Sequence, residues 1–90
     1  MEKSLNIRIF GMVQGVWFRQ TTKDKADDLG LKGIVMNEAD GSVYISVKGE
    51  EEAMAHFLTY CKIGPPSARV DNVIVEECDV PDFKDFKVLR

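Results

Sequence analysis

Residues 33–49 read GIVMNEADGSVYISVKG, two strand-like runs on either side of Asp40-Gly41. An Asp-Gly pair favours a tight reversal of the chain. In the second run Val43, Ile45 and Val47 alternate with Tyr44, Ser46 and Lys48, the period-two pattern of a strand with one buried face. The first run, LKGIVMN, ends near Asn37 and is its partner. Gly33 to Gly49 is therefore predicted as a β-hairpin, and the patterns on both sides of it are helical.

Working towards the N-terminus, Trp17 to Leu29 places Phe18, Thr22, Ala26 and Leu29 near one helical face, with Gly30 as a natural stop. Before it, SLNIRI alternates with Leu5, Ile7 and Ile9 on one side, a strand that ends at Gly11. A loop then runs to about Val16. Towards the C-terminus a second helix opens with Glu50, Glu51 and Glu52, acids that complement the positive end of a helix. Its inner stripe is Met54, Phe57, Leu58 and Cys61, and Gly64-Pro65-Pro66 ends it. RVDNVIVEE supplies a fourth strand and FKDFKVLR a possible short fifth.

The order βαββαβ predicts an α+β, ferredoxin-like two-layer sandwich, an antiparallel sheet covered on one face by two helices. Strands one and two, joined through a helix, run parallel with strand three between them. Their C-terminal ends then share one edge of the sheet. The loop after Phe10 and the residue Asn37 should converge there, their strands roughly 10 Å apart.

The 90 residues, 44% apolar and 30% charged, suggest one domain over 1–90 with a modest core. No linker, repeat or low-complexity segment interrupts them. A net charge of −3 argues against general nucleic-acid binding, so an anionic ligand would have to be held by local arrangement. Neither a signal-peptide core nor a membrane-spanning run is present. Cys61 and Cys78 lack metal-like spacing. A cytoplasmic protein with reduced thiols is expected, without membrane partners and as a monomer.

The candidate site is GMVQGVWFRQ, residues 11–20. Gly11 and Gly15 permit backbone conformations that other residues resist and let a ligand approach the main chain. Consecutive N–H groups in such a loop can form an anion nest, and the following helix adds its positive end. Arg19, in the first turn, supplies a fork matched to two phosphoryl oxygens. The same residues also read as a plain turn followed by a surface arginine. The Walker and dinucleotide patterns are both missing. Asn37 is open to two readings as well. It is an ordinary strand-end asparagine, or an amide that orients a water beside a bound phosphorus.

Other candidates point elsewhere. His56 lies off the inner stripe of its helix, Cys61 reads as core, and Cys78 has no activating base. Glu50 to Glu52 read as a helix start rather than a metal site. Met12, Trp17 and Phe18 suit packing or pocket lining. A site with an arginine, an amide and backbone donors, but no nucleophile, general acid or metal-ligand set, suits an activated substrate. A carboxylic–phosphoric anhydride expels a stable carboxylate, and its cleavage needs little beyond a placed water and charge stabilisation on the phosphoryl oxygens.

GMVQGVWFR followed by GIVMNEADGSVYISVKG closely resembles the acylphosphatase family, and the likeness runs through nearly the whole chain, including ARVDNV before the fourth strand. The resemblance implies a cytoplasmic, cofactor-independent enzyme hydrolysing small acyl phosphates. It assigns phosphate binding to Arg19 and water orientation to Asn37. The cradle would be the backbone of Val13, Gln14, Gly15 and Val16. It further suggests that the substrate phosphate itself accepts the water's proton. Met12, Trp17 and Ile34 depart from the family pattern, none of them at Arg19 or Asn37. The alternatives are a non-catalytic small-anion-binding or regulatory module and a piece of a carbamoyl-transfer assembly. An RNA binder would need basic surface and paired strand aromatics, whereas Tyr44 stands nearly alone.

Overall fold

The computed structural model describes residues 1–89; Arg90, the last residue of FKDFKVLR, lies outside them. The elements are β1 Glu2–Met12, α1 Phe18–Asp28, β2 Lys32–Asn37, β3 Val43–Glu50, α2 Glu51–Ile63, β4 Arg69–Glu77 and β5 Phe86–Val88. The sheet order is β4-β1-β3-β2-β5. β3 pairs antiparallel with both β1 and β2, so those two run parallel, as a helical crossover requires.

The register follows from apolar alternation. Ile45 faces Ile7 on one side and Val35 on the other. Leu5, Ile7, Ile9, Val35, Val43, Ile45 and Val47 are all buried, forming the inner surface of the sheet. A one-residue slip would turn every one of them to the other face. Phe18, Thr22 and Ala26 of α1 and Met54, Phe57 and Cys61 of α2 close the core from above. Each large side chain buried here contributes roughly 1.5–3 kcal/mol. Leu58, expected in the inner stripe, packs half-buried at its margin.

Tyr60 joins the two helices, its ring 6.0 Å from Phe18 and 6.1 Å from Phe57. Its hydroxyl and that of fully buried Thr22 share a hydrogen bond of 3.1 Å, which satisfies the one polar group α1 turns inward.

Three local expectations are corrected. The first concerns the sheet, which is mixed: the short fifth strand exists and pairs parallel with β2. Glu77 at the end of β4 lies opposite Leu5, near the start of β1, which is also the end where β2 begins. Residues 78–85 cross along that end, tied by Cys78 N–H to the Ser4 carbonyl and by Lys48 to Asp82 at 2.9 Å. β5 therefore enters the free edge at the start of β2 and has to run alongside it. Phe86, buried 6.3 Å from Phe57, fastens it there.

The second is β1, which continues to Met12 through a bulge at Phe10/Gly11. Gly11 has φ 132°, and a Cβ at this position would collide with the Arg69 carbonyl, so close strand approach demands glycine. The third is α1, which starts at Phe18 rather than Trp17. Trp17 is left-handed, with φ 64° and ψ 13°, and precedes the helix instead of forming its first turn.

Candidate active site

The loop between β1 and α1 is pinned at three points. Val13 is 1% exposed and anchors the loop in the core. The Gln14 side chain donates from Nε2 to the carbonyls of Glu38 and Ser42, at 2.8 and 2.9 Å. Ser67 Oγ donates to the Val16 carbonyl at 2.9 Å. Between these anchors Gly15 takes φ 73°, and a Cβ built on it meets no atom within 4 Å. That open space lies directly over the main chain.

The loop's donors remain uncommitted. Among the described residues, the backbone N–H groups from Gln14 to Gln20 find no protein acceptor. The first of the usual backbone bonds at the start of α1 is Thr21 N–H to Trp17 C=O. No side chain caps this helix and no acid stands in its first turn. Among the described residues no acid in that turn offsets its positive end, an arrangement suited to an anion. Trp17 is the one non-glycine residue of positive φ among the described residues. Such strain, of order 1–3 kcal/mol, tends to collect at functional sites.

Arg19 projects from this turn and is half-buried. Its Nη1 donates to the Leu89 carbonyl at 3.1 Å, and no described carboxylate lies within ion-pair distance. One edge of the guanidinium is thereby steadied while the remaining donors stay available. Asn37, the last residue of β2, carries a buried Oδ1 with no hydrogen-bond partner. An orphaned acceptor of this kind costs about 1–3 kcal/mol; Asn6 Oδ1 on β1 is another among the described residues, away from this cleft.

Both residues line one cleft of about 340 Å³, together with Val13, Gly15, Trp17 and Val88. The convergence of the loop after β1 with the end of β2 is therefore observed. Gln14 and Val16 are not among the lining residues, although their backbone N–H groups also find no acceptor among the described residues. Met12 is 62% exposed and lies outside the lining.

Some parts of the site carried no local sequence signal. Val88 reaches the cleft because β5 pairs beside β2, and Leu89 presents its carbonyl to Arg19 for the same reason. The left-handed Trp17 was equally hidden, since nothing in a tryptophan announces that conformation.

Titratable groups elsewhere do not compete for the role. Burial pushes the Cys61 thiol up to about 12, and burial likewise raises Tyr60 to about 12 against a smaller opposing effect of its Thr22 hydrogen bond. Both are core groups held neutral. His56 is exposed on α2, and Glu51 and Glu52 occupy the first turn of that helix. Among the described residues no cluster of three or more His, Cys, Asp or Glu is arranged to hold a metal ion.

An uncapped helix start, an arginine with no carboxylate partner among the described residues and a strand-end asparagine thus meet at one cleft of a ferredoxin-like sandwich. The acylphosphatase family model matches residues 5–88. The acylphosphatase of Thermotoga maritima is 49% identical over 86 residues, covering 96% of each chain. An acylphosphatase structure from Coxiella burnetii superposes with a TM-score of 0.93 at 38% identity, over 98% of this chain and 93% of that one. Full-length HypF, crystallised in a phosphate- and nucleotide-bound form, contains a similar unit: TM-score 0.92, 40% identity, all of this chain and 12% of that one. The chain belongs to the acylphosphatase family, enzymes that hydrolyse acyl phosphates.

Proposed function

We propose that the cleft hydrolyses small acyl phosphates to a carboxylate and inorganic phosphate, with Arg19 and Asn37 as the residues that carry the reaction. The phosphoryl group sits over Gly15, its oxygens receiving the N–H groups of Val13, Gln14, Gly15 and Val16 and the free edge of Arg19. These donors oppose the charge that builds on the phosphoryl oxygens as the leaving carboxylate departs. Asn37 accepts one O–H of a water and directs its lone pair at phosphorus. Asparagine χ2 is a soft torsion, so a modest rotation presents the orphaned Oδ1 to that water. The phosphate takes the water's proton, and no side-chain base is used.

The observation that carries this reading is the meeting, at one cleft, of uncommitted loop N–H groups, an arginine with no described carboxylate partner and Asn37, whose buried Oδ1 is one turn of χ2 from the cleft wall and has no donor. The enzyme on this reading is a cofactor-independent, single-domain monomer of the cytoplasm. The non-catalytic alternative would bind phosphate equally well but would not need the carboxamide.

The test is hydrolysis of a simple acyl phosphate beside an alkyl phosphate monoester, each with and without a chelator. Strong preference for the acyl phosphate, unchanged by chelator, is expected. Preference for the monoester or abolition by chelator would overturn the proposal.

A further inference from the structure

The two halves of the site come from different parts of the chain, and one side chain outside the cleft connects them. Gln14 Nε2 carries two hydrogens, and both are used: one on the Glu38 carbonyl at 2.8 Å, the other on the Ser42 carbonyl at 2.9 Å. Those carbonyls stand on opposite sides of the β2–β3 turn. Each already accepts one bond from within that turn, Ser42 from the Glu38 N–H and Glu38 from the Gly41 N–H. Gln14 occupies the second lone pair of each. The turn is braced at its far end by Asp40, whose Oδ1 accepts from both the N–H and the hydroxyl of Ser42.

Glu38 follows Asn37 directly, and Asn37 lies opposite Val43, the neighbour of Ser42. The Gln14 amide thus grips the turn at the strand pair that carries Asn37. Its own backbone lies in the phosphate loop, one residue before Gly15. On the reading of the site given above, we propose that the Gln14 side chain is a positioning residue, setting the distance between the phosphate loop and the water-directing carboxamide of Asn37. It touches no reacting atom. Its effect passes through Asn37, and that gives it a signature distinct from a contribution to folding.

The variants are Gln14→Met, which keeps the length and loses both donors, and Gln14→Glu, which turns a carboxylate on the same two carbonyls. Acyl phosphate turnover, competitive inhibition by inorganic phosphate and denaturant midpoint are measured for each, alone and combined with Asn37→Ala. A displacement of about 1 Å at a reacting group costs up to about a hundredfold, so kcat is expected to fall about ten- to a hundredfold. Inhibition by phosphate should change less than about threefold, since the backbone donors and the arginine are kept and Val13 and Ser67 still hold the loop, and adding either variant to Asn37→Ala should cost less than about twofold more.

Equal losses in turnover and phosphate inhibition, or full additivity with Asn37→Ala, would overturn the proposal. Wild-type kcat in either variant would do the same. If neither variant folds, the wild-type protein still decides the matter by NMR. The two Gln14 side-chain amide protons should be distinct and slow to exchange, and phosphate binding should shift them together with those of Asn37. Rapid exchange, or a shift at only one of the two side chains, counts against the coupling. A wild-type protein inactive on acyl phosphates would instead sink the proposed function, so the two failures are distinguishable.

Discussion

Replacing Arg19 by alanine separates a binding residue from a structural one, because the two roles predict opposite balances of activity and stability. Arg19 spends one N–H on the Leu89 carbonyl at 3.1 Å and none on a described carboxylate. Two of its remaining donors suit two phosphoryl oxygens. Charge-assisted hydrogen bonds contribute about 1.5–3 kcal/mol each, and partial solvation at the open cleft brings the pair to about 3–4 kcal/mol. At about 1.4 kcal/mol per decade, Arg19→Ala should lose two to three orders of magnitude in kcat/KM.

Stability should hardly change. The cation sits in the first turn of α1, where the helix dipole opposes it by about 0.3–1 kcal/mol. That roughly offsets the lost bond to Leu89, so the unfolding free energy should stay within about 0.5 kcal/mol. The linked measurement is unfolding with added phosphate. At a hundred times its Kd, phosphate stabilises wild type by about 2.7 kcal/mol, and the variant should lose most of this. Arg19→Lys should recover little of either effect, since a point charge does not reproduce the planar fork. Wild-type turnover by Arg19→Ala, or equal stabilisation of both proteins by phosphate, would refute the assignment.

Asn37→Ala should depress turnover by about a hundredfold, the cost of a misplaced reacting group, while inhibition by phosphate persists; parallel loss of both would contradict water positioning. Gly15→Ala imposes the left-handed φ on a Cβ that meets no neighbour, so about 1–2 kcal/mol of stability should be lost, with a larger drop in phosphate affinity because the methyl enters the cleft. A large stability loss with phosphate affinity intact would place the cradle elsewhere. The Cys61 thiol and the Tyr60 hydroxyl have folded-state pKa values raised to about 12, above their ordinary 9.0 and 10.0. Their contribution is complete below about pH 9 and is lost as pH climbs towards 12, because the unfolded chain releases those protons first. Denaturant melts from pH 7 to 11 should show that decline, and Cys61→Ala should flatten its earlier part; stability that rises with pH over this range would refute the linkage.

Much of the site could be read from residue types because local rules already constrain them. Gly11 and Gly15 were recognisable as positions of unusual backbone, and both have positive φ. Arg19 one turn beyond the loop and Asn37 at a strand end could be assigned to one edge from element order alone. The rest depended on contacts with no local trace. The direction of β5 follows from where β4 ends and which sheet edge is still open, and it brings Val88 and the Leu89 carbonyl to the site. The Gln14 side chain finds its two carbonyls 24 and 28 residues away. Trp17 leaves the helix that its position in the pattern suggested, because the pinned loop has to turn sharply before Phe18.

By itself the amino-acid order determined the periods: apolar alternation along Leu5–Ile9 and Val43–Val47, the stripe of α2, and the punctuation that separates them. Those features sufficed for the sandwich because alternation and helical spacing act over a few neighbouring residues. Only the tertiary structure decided which donors remain unused once folding is complete. An unpaired amide, a free guanidinium edge or an orphaned carboxamide oxygen is defined by what every other group in the molecule fails to supply. Vacancy of that sort is a property of the assembled chain and has no residue-by-residue signature.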